Sequence, residues 1–289
     1  MQIAFCVHPH LATANEQRAL AEQWLAAQGV ESVAVNTDHL LIDSCEFTKL
    51  TEQTRDISLV CALGGDGTIL RATRLAYAAQ VPLLGINFGN LGFLSGASAK
   101  ALFPALEAFL AGELHEDCRV VLKAEALFSD GSTATHTALN EVLLGRSLLG
   151  KVIVVDISVN GYPLPSPRGD GVIVATATGS TAYAHSAGGP LLTPDNQGLC
   201  IVPVSGLGFS AAALVSAPSD IIRLSVQEHT DQHPLLFIDG QPLNSDESDT
   251  FISSVAITKA ERDMVFLRYD TPDFYTRIAR SLAGGSHAR

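Results

Sequence analysis

The sequence predicts an α/β amino-terminal domain with a largely parallel sheet, followed by a β-rich carboxyl-terminal domain. Three observations carry that prediction. Short apolar strand-like segments alternate with segments of helical periodicity as far as residue 111. After residue 118, strand signals and turn dipeptides dominate. The last helical pattern appears only at 271–282. Helix–strand alternation is the order of a parallel sheet covered by helices, and a run of strands joined by tight turns is not. The 289 residues suit one or two domains. A chain of that size buries roughly three quarters of its extended surface and needs no disulfide or structural metal to hold a core.

Taken in order, QIAFCV at 2–7 reads as a short apolar strand. In 13–28 the residues Leu20, Trp24 and Leu25 fall at helical spacing, and Gly29 supplies a stop. ESVAVN at 31–36 is strand-like, and 39–57 is ambiguous between a short helix and a loop. ISLVCAL at 57–63 is a buried strand running directly into Gly64-Gly65-Asp66-Gly67-Thr68, after which a helix is expected over 68–79. VPLLGI at 81–86 forms the next strand, followed by a turn rich in Gly and Asn at 87–96 and an amphipathic helix at 98–111.

Beyond the boundary at 112–119, CRVVLKAEALF and TALNEVLL are extended segments joined near Ser129-Asp130-Gly131. KVIVVDISVNG ends in Asn160-Gly161, a strong hairpin signal. GVIVAT, IIRLSVQ, PLLFIDG, FISSVAI and DMVFLRY continue the strand regime. TPDFYTRIARSL carries Pro272 near a helix start and Phe274, Ile278 and Leu282 on one face. The expected division is 1–115 for the α/β domain, 116–270 for the β-rich domain, and 271–289 for a helix and tail returning to the first.

Lysine and arginine total 18 against 30 aspartates and glutamates, a formal net charge of −12. That argues against a broad cationic surface for nucleic acid or anionic lipid. A small anionic ligand held by backbone amides and a few arginines remains compatible. Hydrophobic residues make up 47% and charged residues 17%, the balance of a globular chain and not a disordered one. The five cysteines are scattered, with no CxxC and no Cys/His cluster, so neither a disulfide framework nor a zinc site is expected. No leader and no membrane-spanning apolar run is read, and the expected compartment is the cytoplasm.

Gly64-Gly65-Asp66-Gly67-Thr68 is the sharpest local signal. Between a strand and a helix its amides can face an anion at the positive helix end, and its glycines let a phosphate or sugar approach the backbone. Asp66 adds a carboxylate to a loop that welcomes anions. The combination suits a hydroxyl substrate beside a phosphoryl group: the acid can orient the alcohol, deprotonate it, or help hold magnesium. The plainer reading is a tight turn with a local hydrogen bond. The loop matches neither the Walker A pattern nor GxGxxG.

GGDGT after a strand, GINFGNLGFLSG at 85–96, LNEVLL at 139–144, GDGVIVATATGSTAYAHSAGGP at 169–190 and IDGQ at 238–241 together resemble the NAD kinase family, in one order over nearly the whole chain. The resemblance implies transfer of a phosphoryl group from ATP with Mg2+, or from polyphosphate as an alternative donor, to the 2′-hydroxyl of the adenosine ribose of NAD, giving NADP. It implies NAD held between an α/β and a β-rich domain, in a homo-oligomer. Asp66 corresponds to the family's catalytic aspartate, with Gly64, Gly65, Gly67 and Thr68 around it, and Asn87 follows a strand toward the same crevice. Asn140-Glu141 matches the NAD-binding Asn-Glu pair. Thr178, Ser180, Thr181, Ala182 and Tyr183 match the NAD-binding TGSTAY segment, and Asp170 supports that loop or the pocket. Each also has a plainer reading as a strand end, a structural turn or a buried tyrosine. Asp239-Gly240 reads as a hairpin turn that needs no ligand.

The chain departs from the family's pattern at three places, the first being His8-Pro9 where relatives often have a phosphate-interacting Asn-Pro. Ala177 stands where proline usually precedes TGSTAY. PVSGLGFSAAAL at 203–214 has Val204 and small apolar residues where many relatives have Pro-His followed by an arginine. Two alternatives therefore stay open beside NAD phosphorylation: a non-catalytic regulator binding NAD(H) or NADP(H), and a kinase for another hydroxyl, such as a lipid or sugar. His8 and His10 are expected to face solvent, His185 to lie near the NAD pocket without acting as a base, and Arg71 and Arg74 either to meet ATP phosphates or to line an exposed helix face. No residue set is read as a protein-only metal site.

Overall fold

The computed structural model describes residues 1–41, 56–89, 92–147, 152–206, 212–226, 234–243, 250–270 and 272–284. The chain forms two compact units, Met1–Cys118 with Met264–Arg289, and Arg119–Asp263. The first unit contains β1 (Gln2–Val7), α1 (Ala12–Ala27), β2 (Glu31–Asn36), β3 (Ile57–Gly64), α2 (Asp66–Ala79), β4 (Leu83–Asn87), β5 (Ala97–Ser98), α3 (Leu102–Ala111) and β6 (His115–Arg119).

In the second unit, β7 (Leu122–Phe128), β8 (Thr133–Ala138), β9 (Glu141–Gly145), β10 (Ile153–Val159), β11 (Tyr162–Leu164), β12 (Arg168–Gly169) and β13 (Gly171–Ala175) come first. A short α4 (Tyr183–Ser186) leads to β14 (Leu199–Val204), β15 (Leu214–Ser216), β16 (Ile222–Val226), β17 (Leu235–Ile238), β18 (Gln241–Pro242) and β19 (Ile252–Lys259). The chain then re-enters the first unit with β20 (Met264–Arg268) and α5 (Phe274–Gly284).

The first sheet runs β2-β1-β3-β4-β20-β6, with β5 beside β4. The pairs β1–β2, β1–β3, β3–β4, β4–β5 and β20–β4 are parallel. Its central strands are apolar on both faces, and Phe5, Leu59, Leu63, Leu84 and Ile86 are fully buried. The segment DMVFLRY is a strand, as its composition predicts, yet it joins this parallel sheet because periodicity names an element and not its partner.

The second unit carries two sheets, β11-β10-β16-β19-β7-β8 with β12 beside β10, and β15-β14-β13-β9-β17-β18. Among the described residues, the pairings in them are antiparallel. Asn160 and Gly161 turn the β10–β11 hairpin with φ of 53° and 81°, the paired left-handed geometry a two-residue hairpin needs. The α/β unit with a mainly parallel sheet and the β-rich second unit are thus the predicted architecture. No described helix is long and apolar enough to cross a membrane.

Details differ from the periodicity reading. Helix α2 starts at Asp66, two residues before the expected position, because Gly65 is already extended at φ −91° and ψ −177° and serves as its N-cap. The long helix of 98–111 is a 3-10 turn at Ala99–Ala101 followed by α3. In α1 the buried stripe is Ala14, Ala21 and Leu25, while Leu20 is 48% exposed. Trp24 meets Phe103 edge-on at 6.1 Å. Most of the ambiguous 39–57 stretch lies outside the described residues; its start is a 3-10 turn at Thr37–Leu40.

These packing differences set a stability prediction. Phe5→Ala empties a fully buried site in the first unit and should cost about 3–5 kcal/mol. Leu20→Ala should change stability by less than about 0.5 kcal/mol. Urea unfolding followed by the fluorescence of Trp24, the only tryptophan, reads this unit directly.

Candidate functional site

In the first unit, β3 ends at Gly64 and α2 begins two residues later at Asp66. The first N–H groups of a helix have no partner within it, and no side chain caps this one. Gly65 and Gly67 are exposed, so the turn presents bare backbone at a positive helix end. Gly64 is required by packing: a Cβ there would lie 2.5 Å from Thr68 Oγ1. Asn87 ends β4 directly opposite Gly64 in the sheet register, and its Oδ1 accepts the Gly89 N–H at 2.9 Å. The parallel pairing of β3 and β4 therefore brings Gly64, Gly65, Asp66, Gly67, Thr68 and Asn87 to one end of the sheet.

The Asp66 carboxylate is held by backbone on both oxygens. Its Oδ2 accepts the Phe93 N–H at 2.8 Å and its Oδ1 the Leu94 N–H at 3.3 Å. Gly92 makes this approach possible, since a Cβ there would sit 2.1 Å from Oδ1. Each oxygen keeps a second lone pair for another donor.

The second unit gathers Asn140, Glu141 and the 176–183 turn. Asn140 precedes β9 and Glu141 opens it. The Asn140 carbonyl accepts the Thr176 N–H at 2.9 Å, and a Cβ on Gly179 would lie 2.0 Å from that same oxygen. Thr176 Oγ1 donates to the Leu139 carbonyl at 2.6 Å and accepts the Gly179 N–H at 3.1 Å. Thr178 accepts from Arg119 at 3.3 Å, Ser180 donates to the Ala177 carbonyl at 2.6 Å, and Thr181 donates to the Thr178 carbonyl at 3.0 Å. Three of the hydroxyls thus fold the turn on itself. Ala182 closes it through an N–H bond to the Gly179 carbonyl at 2.9 Å, and Tyr183 emerges 45% exposed at the start of α4.

Asp170 stands apart from this cluster. It precedes β13, whereas the Thr178–Tyr183 turn follows that strand, roughly 15 Å away at the usual rise per residue. Its Oδ1 accepts Arg146 Nε at 2.6 Å. The Ser205 hydroxyl, then Arg146, hold its carboxyl below the usual carboxylate range. The 203–214 segment lies partly outside the described residues; Val204 ends β14 and Leu214 opens β15.

Asp239, read from sequence only as a turn residue, organises the Asn-Glu pair. The turn is present, with φ of 48° at Asp239 and 75° at Gly240. The side chain also accepts the N–H groups of Leu139, Asn140 and Glu141 at 2.9, 2.7 and 3.2 Å. About one hundred residues separate the partners, so local patterning carries no signal of this contact; an aspartate in place of asparagine before the turn glycine is the only hint. Arg71 pairs with Asp38 at 3.2 Å and Arg74 donates to the Leu40 carbonyl at 3.1 Å, so both brace the Thr37–Leu40 turn. The His8 Nδ1 accepts the His10 N–H at 3.3 Å, and His185 lies exposed in α4. No group of three metal-ligating side chains occurs among the described residues.

Glu141 is 7% exposed and its Oε2 is buried without a hydrogen-bond partner. Burial, reinforced by the negative charge of Asp239, pushes its carboxyl up to about 8 from 4.5. The folded chain thus holds a proton that the unfolded chain releases between those values, so stability falls as pH rises from about 5 through 8. Glu141→Gln should flatten that slope by up to about 1.4 kcal/mol per pH unit. Urea midpoints of both proteins at pH 5, 6.5 and 8 check this, and parallel slopes would contradict it.

Residues 4–114 match the ATP-NAD kinase N-terminal domain and residues 139–269 the ATP-NAD kinase C-terminal domain. The NAD kinase of Citrifermentans bemidjiense is 33% identical over 288 residues, covering 95% of this chain and 97% of its own. The NAD kinase of Methanothermobacter thermautotrophicus is 33% identical over 290 residues, covering 99% and 97%. Among solved structures, an NAD kinase from Archaeoglobus fulgidus in complex with ATP superposes with a TM-score of 0.70 at 25% identity, covering 98% of both chains. Yeast NADH kinase complexed with NADH shares the fold, with a TM-score of 0.84 at 20% identity over 100% of this chain and 89% of its own. The parallel sheet ending in GGDGT, the Asn-Glu strand start and the full-length kinship together establish that the chain belongs to the ATP-NAD kinase family, enzymes that phosphorylate NAD with ATP.

Proposed function

We propose that the chain transfers the γ-phosphoryl group of ATP to the 2′-hydroxyl of the adenosine ribose of NAD, releasing NADP and ADP. The observation that carries this reading is the Asp66 carboxylate, fixed by two backbone N–H bonds beside an uncapped helix start. A carboxylate held in place beside bare amides can address a hydroxyl and a phosphate at once. Asp66 accepts the ribose proton as the oxygen–phosphorus bond forms, and the bond to the departing ADP breaks; the proton passes on to solvent. The Gly64–Thr68 backbone meets the phosphoryl oxygens, and Asn87 lines the same sheet end.

Asn140 and Glu141 bind polar groups of NAD, and the exposed Tyr183 ring packs against a base or ribose. Magnesium would accompany ATP, held by its phosphates and water with at most one carboxylate, and would neutralise phosphate charge. The single half-buried carboxylate at the GGDGT turn fits that share. Polyphosphate is the alternative donor in this reading, and a comparison of the two donors in the same assay decides between them.

Incubation of the purified protein with magnesium, ATP and NAD, resolving NADP and ADP, tests the reaction; phosphorus NMR of the product locates the phosphate. Equal yields of both products are expected. Asp66→Asn keeps the side chain's size and removes its basicity, so turnover should fall at least ~100-fold. The dissociation constant for NAD should change less than about threefold. Wild-type turnover in the folded variant rules out this role for Asp66. Tight NAD binding by the wild type without either product would favour a non-catalytic dinucleotide binder, and ADP formation only with a lipid or sugar would favour another kinase.

A further inference from the structure

The 92–96 loop, whose N–H groups hold Asp66, has its carbonyls held by two arginines from the end of the chain. Arg277, on α5, donates to the Gly92 carbonyl at 2.7 Å, the Ser95 carbonyl at 3.1 Å and the Pro272 carbonyl at 2.9 Å. Arg268, on β20, donates to the Leu94 carbonyl at 2.8 Å and to the Ser95 carbonyl. The loop lies between β4 and β5, so little of its backbone is satisfied by regular structure. Gly96 is pinned through bonds to the Gly85 carbonyl at 2.7 Å and from the Tyr269 N–H at 2.9 Å.

The two arginines differ in what else they hold. Arg268 lies in the sheet and also pairs with Asp117 at 2.8 Å, so its loss disturbs more than the loop. Arg277 is 7% exposed and reaches the loop from a helix whose start is capped by Asp273, which accepts the Thr276 N–H at 2.9 Å. Phe274 of the same helix meets Phe93 at a ring separation of 6.2 Å. One residue therefore bridges the loop at both ends, Gly92 and Ser95, on either side of the two N–H groups bound to Asp66. Only a planar fork does this; an ammonium is a point donor.

We propose that Arg277 is a positioning residue for phosphoryl transfer. By holding the carbonyls of Gly92 and Ser95, it keeps the Phe93 and Leu94 N–H groups on Asp66 and fixes the carboxylate that addresses the hydroxyl. This rests on the assignment of Asp66 above. The carboxy-terminal helix thereby acts on a site whose sequence motif lies some two hundred residues earlier.

Arg277→Met and Arg277→Lys in the full chain test it, each compared with Asp66→Asn. Arg277→Met should lower kcat at least tenfold while KM for NAD and for ATP stays within about threefold, the split expected when a reacting group is displaced and substrate contacts are kept. Residue-resolved amide exchange should quicken at Phe93 and Leu94 by about tenfold or more, with the middle of α2 unchanged. Millimolar guanidinium should restore part of kcat in Arg277→Met. Arg277→Lys, the milder change should Met fail to fold, should give the same exchange signature with an intermediate kcat. Wild-type exchange at Phe93 and Leu94, or wild-type kcat despite faster exchange, in a folded variant overturns the proposal. Loss of kcat with equal loosening throughout α2 and no guanidinium rescue also overturns it, in favour of general destabilisation. Full activity of Asp66→Asn instead overturns the reading of Asp66 on which it rests.

Discussion

Two backbone N–H groups, those of Phe93 and Leu94, end on one carboxylate, and the geometry of the first unit's site depends on that contact. It joins the start of α2 to the loop after β4, two segments that parallel strand pairing brings to one sheet end. The contact demands glycine at 92, where any side chain would enter the space of Asp66. It also makes the loop's carbonyls a problem for other residues, and arginines from β20 and α5 solve it. Hydrogen bonds to an ionised acceptor are roughly twice as strong as neutral ones. A single aspartate can therefore hold a turn that lacks regular structure.

The second unit uses the same device. Asp239 accepts three consecutive N–H groups at the start of β9, and its negative charge adds to the burial that keeps the Glu141 proton in place. Two neighbouring carboxylates are thus driven apart in behaviour, one with three donors and the other with an oxygen that has none. A chain of net charge −12 can handle anionic substrates in this way. Acidic side chains act on the backbone, and the amides at the GGDGT turn stay exposed, open to the phosphate the proposed reaction places there.

Strand and helix order was legible because apolar runs and helical spacing are local. ISLVCALG into GGDGT, and Asn160-Gly161 at its hairpin, are fixed by residues next to one another. Helix α2 starts two residues before the expected Thr68 because Gly65 already supplies the extended N-cap. Helical spacing alone marks Leu20 with Trp24 and Leu25, but small alanines with Leu25 form the buried face of α1 and Leu20 is exposed. What sequence could not supply were contacts across long separations. Asp239 reads as a turn residue, Arg71 stays open between a phosphate contact and an exposed helix face, and nothing in the local pattern singles out Arg277. Their side chains end on backbone carbonyls, backbone amides or a distant aspartate, and such partners leave no spacing to read.

The most direct test of the account is Gly92→Ala, measured for turnover and NAD affinity in the folded protein. A Cβ at this position would sit 2.1–2.3 Å from the Asp66 carboxylate atoms, so the carboxylate or the loop must move. A displacement of about 1 Å in a reacting group costs on the order of a hundredfold in rate. The account predicts a loss of kcat of about that size with NAD affinity preserved, since the second unit's contacts are untouched. Wild-type turnover with alanine in place would contradict it, because the carboxylate would then work from a position other than the one the structure fixes.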